Sequence, residues 1–139
     1  MLTGCGGGKT SVSGMVTYTD DGSPVTAGTV VFDDGVKQAR GKIKPDGKYV
    51  MGFDKETNGV PSGEYGVTVM DAFELVPVPE GVYVYPIPVK ELIEEKYKNK
   101  NTSGLTITVG KSKQVYDIKV DRSTAAPAPM QIHKLQGQE

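Results

Sequence analysis

Glu64-Tyr65-Gly66-Val67-Thr68-Val69-Met70 decides the fold class, because its side chains alternate in character without a break. Tyr65, Val67 and Val69 share one parity, and Gly66, Thr68 and Met70 share the other. That is the period of a strand with one face in a core. Working outward, Val12, Gly14, Val16 and Tyr18 alternate with Ser13, Met15 and Thr17, and Leu105, Ile107 and Val109 alternate with Thr106 and Thr108. Tyr116, Ile118 and Val120 repeat the pattern around Asp117 and Lys119. Seven strands are expected, near 12–18, 28–33, 38–43, 48–52, 64–70, 105–109 and 114–120. Turn chemistry separates them: Asp20-Asp21-Gly22-Ser23-Pro24, Asp33-Asp34-Gly35, Pro45-Asp46-Gly47-Lys48 and Gly110-Lys111-Ser112-Lys113. Asp46-Gly47 is the strongest hairpin signal, and 110–113 reads as a second hairpin loop. Short strands at such intervals predict an all-β antiparallel sandwich. Its core should hold Val16, Val30, Phe32, Tyr65, Val67, Val69, Leu105, Ile107 and Ile118.

The chain of 139 residues suits one domain, placed at 12–122, after a Gly-rich leash at 1–11 and before a mobile C-terminal tail at 123–139. Eighteen Gly and nine Pro fall between β-branched runs rather than in low-complexity tracts. Sixteen Lys+Arg against seventeen Asp+Glu give a net charge of −1, which removes the electrostatic case for nucleic acid. No apolar run approaches the roughly 20 residues of a membrane helix. Residues 72–104 break the strand rhythm as an insertion. Four prolines lie within 73–88, marking an edge or an extended loop. Val89, Leu92, Ile93 and Tyr97 then recur at helical spacing, predicting one short amphipathic helix of about two turns just after Pro88.

Three stretches resemble transthyretin-like, carboxypeptidase regulatory-like domains. Val12-Ser13-Gly14-Met15-Val16 with Gly22-Ser23-Pro24-Val25 is similar to their opening, "V-x-G-x-V … G-x-P-V". Asp46-Gly47-Lys48-Tyr49, with Val60-Pro61-Ser62-Gly63-Glu64-Tyr65-Gly66-Val67-Thr68-Val69, resembles their middle. Ile93-Glu94-Glu95-Lys96-Tyr97 and Thr102-Ser103-Gly104-Leu105-Thr106-Ile107-Thr108-Val109 resemble the ending of short lipid-anchored bacterial members of planctomycete type. Glu94 stands where those members usually carry Pro, and 72–88 is longer than usual. The resemblance covers roughly 12–120. It implies a prealbumin-like sandwich of seven or eight strands, with an accessory or structural role rather than a catalytic one. Plain folding causes suffice for the motifs. Gly47 and Gly63 suit positive-φ turns, and Tyr49 and Tyr65 can bury their rings while offering hydroxyls to backbone.

Leu2-Thr3-Gly4-Cys5 resembles a bacterial lipobox, in which the cysteine receives lipid, and Cys5 is the one cysteine in the sequence. Only four residues precede it, whereas a secretory signal needs a basic and an apolar region first. Either this sequence begins close to the mature terminus, or Cys5 is an ordinary exposed thiol. The lipoprotein reading implies a bacterial cell-envelope protein held to a membrane through Cys5. Gly6, rather than Asp, after that cysteine implies the outer membrane.

Chemistry-bearing patterns are sparse. The superfamily's hydrolase branch uses several histidines, an arginine and a C-terminal Tyr-Arg-Gly-Ser, whereas this chain has one histidine, His133, and ends Gln-Gly-Gln-Glu. A single histidine does not make a zinc site. Asp20-Asp21 and Asp33-Asp34 lack the ligand spacing of a calcium loop. Gly8-Lys9-Thr10 lacks the preceding strand and following helix of a phosphate loop. The sequon Asn101-Thr102-Ser103 reads as a turn. No enzyme activity, cofactor or metal is expected. The candidate partner surface is the apolar loop at 73–88, through Phe73, Tyr83 and Tyr85, which would meet an envelope protein, a peptide or a glycan; the plainer reading, which the residue pattern favours, is that the loop closes over an open sheet edge. Tyr83 and Tyr85 share a parity, so both rings would project to one side of an extended segment.

The Cys5 reading has a direct test in the native full-length gene. Wild-type protein should partition into detergent, and Cys5→Ser should move it into buffer; equal partitioning of the two forms would leave Cys5 an ordinary thiol.

Overall fold

Alternation becomes register in a computed structural model of the chain, which describes residues 8–84, 87–124 and 132–133. The strands, in chain order, are β1 (Lys9–Thr10), β2 (Val12–Tyr18), β3 (Thr29–Asp33), β4 (Gln38–Lys42), β5 (Lys48–Val50), β6 (Val60–Pro61) and β7 (Gly63–Met70). They continue with β8 (Phe73–Leu75), β9 (Tyr83–Val84), β10 (Val89–Glu91), β11 (Leu105–Val109), β12 (Gln114–Val115), β13 (Ile118–Val120) and β14 (Ile132–His133). One 3-10 turn spans Glu95–Lys98. The chain is all-β, and two sheets pack face to face in the manner of a sandwich.

The first sheet runs β11-β7-β3-β4 and is antiparallel throughout. The second is built on β2, with β5 antiparallel on one edge and β12 and β13 parallel on the other. The expected antiparallel sandwich is therefore mixed. The hairpin expected at Asp46-Gly47 forms in part, with the Lys44 N–H donating to the Lys48 carbonyl at 2.9 Å and Arg40 paired with Gly52, whereas the one expected at 110–113 does not form. Lys44 and Gly47 do close a turn, the Gly47 N–H donating to the Lys44 carbonyl at 2.7 Å. The flanking strands then part: β4 stays in the first sheet, β5 joins the second, and the Arg40–Gly52 bridge links them. Residues 110–113 likewise carry the chain from β11 across to β12. Turn chemistry specifies a reversal of direction, and the identity of the next partner is decided by which face needs covering.

Between the sheets lie Val12, Val16, Tyr18, Val30, Phe32, Tyr49, Tyr65, Val67, Val69, Ile107, Val109, Ile118 and Val120, all buried. Burying one such aliphatic side chain contributes roughly 1.5–3 kcal/mol. Leu105, expected in this core, is only partly buried at the start of the edge strand β11. Thr68, expected outward, is buried with its cross-strand partner Val31. The segment Lys98 to Asn101 covers that outer face, with Lys100 lying over Gly66.

The two-turn helix after Pro88 does not form. Val89 to Glu91 is β10, paired with β8, and Glu94 is extended (φ −66°, ψ 150°), so helical geometry is confined to Glu95–Lys98. Leu92, Ile93 and Tyr97 are buried, so the apolar stripe reports burial correctly and backbone shape wrongly. Two further segments join ladders that the sequence reading left out. Lys9–Thr10, assigned to the leash, pairs with β6, and the buried Thr10 donates its hydroxyl to the Gly110 carbonyl at 2.5 Å. Ile132–His133, assigned to a mobile tail, pairs with β9.

A local exchange of hydrogen bonds ties β5 across β2 to the β12–β13 edge within the second sheet. A regular parallel ladder would deliver the Met15 N–H to the Tyr116 carbonyl. Instead that N–H donates to Asp117 Oδ1 at 3.1 Å, and the Tyr116 carbonyl accepts the hydroxyl of the buried Tyr49. Burial first, then the nearby Tyr116 and Asp117, pushes the Tyr49 hydroxyl far above its ordinary value, so it remains a donor. Gly14 sits under this contact, where a Cβ would lie 2.0 Å from Tyr116 O. Tyr65 does the same at the other sheet, donating to the Pro61 carbonyl at 2.7 Å. Gly47 and Gly63 adopt φ of +86° and +152°, so both turns use the left-handed freedom expected of them. We predict that Tyr49→Phe lowers stability by about 1–3 kcal/mol, by stranding a carbonyl, and that Gly14→Ala lowers it further. Urea midpoints indistinguishable from wild type would refute this role.

Candidate functional site

Both β2 and β7 run from one end of the sandwich to the other, which places the candidate loop. At their starts lie β1, β6, Gly63 and Val109. At their ends lie Tyr18, Met70 and Thr29. Asp71 takes φ +57° and turns the chain out of β7 into residues 72–91. This arm leaves the end opposite the N-terminal strand, at a separation of roughly 23 Å for eight strand residues.

The arm is a ribbon. Phe73, Glu74 and Leu75 face Glu91, Lys90 and Val89 in antiparallel register, and the Val76 N–H donates to the Pro88 carbonyl at 3.1 Å. Pro79 to Val82 closes a turn with Gly81 at φ +81°, the left-handed conformation a type II turn requires at that position. The base is pinned: the Leu92 N–H donates to Ala72 O at 2.9 Å, Ser123 N–H to Leu92 O at 3.1 Å, and Glu91 pairs with Lys98 at 3.1 Å. Apolar side chains nevertheless face water. Leu75 is 65% exposed, Ile87 63%, Tyr83 54% and Val78 43%. Phe73 is at the margin of exposure. Exposed apolar side chains gathered on one loop make it the place to look for a partner contact.

Of the residues singled out from sequence, Phe73 lies in the β8–β10 ladder and Tyr83 in the β9–β14 ladder. Cys5 and Tyr85 lie outside the described residues, and the expected pairing of the Tyr83 and Tyr85 rings lies outside them too. The expectation of an edge or extended loop holds, and the ladder partner of β9 is what the sequence reading missed. Its signal was present in Met130-Gln131-Ile132-His133, a short alternation inside a tail read as featureless.

The acidic pairs are taken up by turn amides and by cations. Asp34 accepts from the Val36 and Lys37 amides at 2.8 and 2.7 Å and pairs with the Lys37 ammonium at 2.6 Å. Asp33 accepts from the Gly35 amide at 2.7 Å. These bonds, led for Asp34 by the Lys37 ammonium and for Asp33 by the Gly35 amide, hold both carboxyls below the ordinary range. Asp20 and Asp21 meet the Arg122 guanidinium at 2.9 and 3.3 Å, and that guanidinium stacks 3.7 Å over Tyr18. Among the described residues no three His, Cys, Asp or Glu side chains gather as metal ligands. A shallow groove lined by Val31, Asp33, Arg40, Met70, Lys98 and Lys100 carries charges that are largely matched, Lys98 by Glu91 and Lys100 by Asp33.

No family model matches the chain, and no curated protein matches it. Among solved structures it is similar to a 9R-lipoxygenase from Cyanothece PCC8801, at 14% identity and a TM-score of 0.41. That similarity covers 92% of this chain and 19% of the lipoxygenase.

The turn carboxylates set an expected pH response. A carboxyl held low in the folded state contributes stability above its unfolded value near pH 4 and loses it as pH falls through the folded value. The thermal midpoint should stay level from about pH 7 to about pH 5 and fall below about pH 4. Asp34→Asn should make that acid limb shallower; a limb of unchanged slope would remove Asp34 from the account.

Proposed function

We propose that this chain is a non-catalytic β-sandwich of the transthyretin-like, carboxypeptidase regulatory-like kind, anchored through Cys5 in the bacterial cell envelope, with a structural or protein-interaction role. The observation that carries the proposal is the position of the arm. An anchor four residues before Lys9 would set the N-terminal end of the sandwich toward the membrane. The exposed side chains Leu75, Tyr83 and Ile87 then lie at the far end, where a partner can reach them. Two sheets joined by sheet-crossing turns support the prealbumin-like assignment, as do the buried Tyr49 and Tyr65 that donate to backbone.

A second reading, binding of a carbohydrate or peptide through the same arm, is favoured by the Tyr83 ring, which is broad, apolar and more than half exposed. Stacking on such a ring suits sugar faces as well as peptide side chains.

The test is binding of the full chain to purified envelope components and to a glycan panel. The triple variant Leu75→Ser, Tyr83→Ser, Ile87→Ser should lose roughly tenfold or more in affinity, as expected where hot-spot side chains are removed. Val36→Ser, an exposed apolar change at the opposite end, should match wild type. Equal binding by wild type and the triple variant would overturn the assignment of the arm, and binding confined to glycans would select the second reading.

A further inference from the structure

The two sides of the sandwich are closed by different means. On the β4 side the closure is main chain: the Arg40 N–H donates to the Gly52 carbonyl and the Gly52 N–H to the Arg40 carbonyl, both at 2.8 Å. Both groups of Arg40 thus point away from β3, and in an antiparallel sheet that parity carries across from strand to strand. Arg40 stands opposite Val31, Val31 opposite Thr68, and Val67 opposite Leu105. Leu105 therefore bonds back to β7, while Thr106 and Thr108 direct their main-chain groups away from it. The side-chain bonds agree. The Thr106 carbonyl accepts the Tyr116 hydroxyl at 3.2 Å, and the Thr108 carbonyl accepts from Gln114 Nε2 at 3.1 Å. Gln114 Oε1 accepts in turn from the Gly110 N–H at 2.6 Å. One carboxamide takes a carbonyl and an amide two residues apart, the groups that a neighbouring strand would take.

β11 needs such a cover. Leu105-Thr106-Ile107-Thr108-Val109 is rich in β-branched residues and carries neither charge nor proline, the usual devices that stop an edge strand from pairing. Its open edge is also self-complementary. About a two-fold axis at Ile107, Thr106 of one copy faces Thr108 of the other. Both of these positions turn their main-chain groups outward, so two β11 strands meeting antiparallel exchange both bonds at each pair. The Thr106 and Thr108 side chains, exposed in the single chain, then meet as cross-strand pairs. We infer that Gln114 is a plug that keeps this edge shut, and that its release joins two copies of the chain through β11 into one continuous sheet. The carboxamide and the second copy compete for the same Thr108 carbonyl, so one arrangement excludes the other. The inference involves neither the arm at 72–91 nor the N-terminal anchor.

Substitution at Gln114 in the full chain tests it. Gln114→Leu keeps the bulk of the side chain and removes both bonds, so hydrogen exchange at the Gly110 amide should quicken about tenfold, as expected where one hydrogen bond is lost. The wild-type chain should sediment as a monomer, and Gln114→Leu should show a dimer fraction that rises with concentration. Adding Thr108→Pro should abolish that dimer. Proline is tolerated at an edge position whose N–H faces outward, and here it removes a donor that the second copy needs. In chains that also carry Cys5→Ser and Gln114→Leu, Thr106→Cys and Thr108→Cys placed in separate copies should crosslink on mixing, because opposed Cα atoms in a bonded pair lie about 5.5 Å apart. Gln114→Glu serves where Gln114→Leu does not fold: it keeps the acceptor for Gly110, loses the donor for Thr108 at neutral pH, and should dimerise more than wild type. Unchanged Gly110 exchange in Gln114→Leu, a folded Gln114→Leu or Gln114→Glu chain that stays monomeric, or a dimer indifferent to Thr108→Pro would each overturn the inference.

Discussion

The carbonyl of Tyr116 is the point at which the second sheet is locked across its width, from β5 over β2 to the β12–β13 edge. It leaves the β2 ladder to receive the Tyr49 hydroxyl, and Asp117 covers the amide left behind. Three residue types must coincide for this to work. A glycine is needed at position 14 because the carbonyl passes where a Cβ would be. A phenol is needed at 49 because only a long side chain with a terminal donor spans from β5 to the far edge of β2. A short carboxylate is needed at 117 to reach back to Met15. Phe32 of the first sheet packs against both Tyr65 and Tyr116, at 5.9 and 6.2 Å between ring centroids, so the Tyr116 ring carries the same residue into the contact between the sheets.

Strand positions were legible in the sequence because alternation is a local property. Val12–Tyr18 and Leu105–Val109 have the bounds the pattern gives, and Val67 and Val69 face the core as their parity requires. Partnership is not local. Asp46-Gly47 and Gly110 to Lys113 carry good turn residues, yet each marks a passage between sheets, because the strands on either side bury their apolar faces from opposite sides of the core. The same limit explains the missing helix. Leu92, Ile93 and Tyr97 fall on a helical stripe, and an irregular segment that crosses the end of a sandwich can bury the same three positions. Main-chain bonds from Leu92 to Ala72 and from Glu94 to Asp121 hold that segment extended.

The candidate surface was legible in outline. Four prolines and an excess of aliphatic and aromatic residues identified 73–88 as an extended apolar segment. The direction of its exposed side chains depends on the β8–β10 register, which no local pattern specifies. The strand at Ile132–His133 was hidden for a different reason: the four-residue alternation Met130 to His133, among polar and proline neighbours, is too short to stand out. The acidic pairs show the opposite case, since Asp33 and Asp34 bind the amides that Asx-type turn chemistry assigns to them.

The parallel pairing of β2 with β12 and β13 has a mechanical consequence. The first long strand of the sandwich and its last two strands lie side by side and point the same way, so the chain enters the second sheet at one end and leaves it at the other. Tension applied between Lys9 and Val120 acts along those strands. It loads the inter-strand bonds together, in shear, instead of opening them one after another like a zipper. A domain held at its N-terminal end and pulled beyond β13 would therefore resist as a clamp, and its lifetime under load would be set by the simultaneous failure of the β2 ladder.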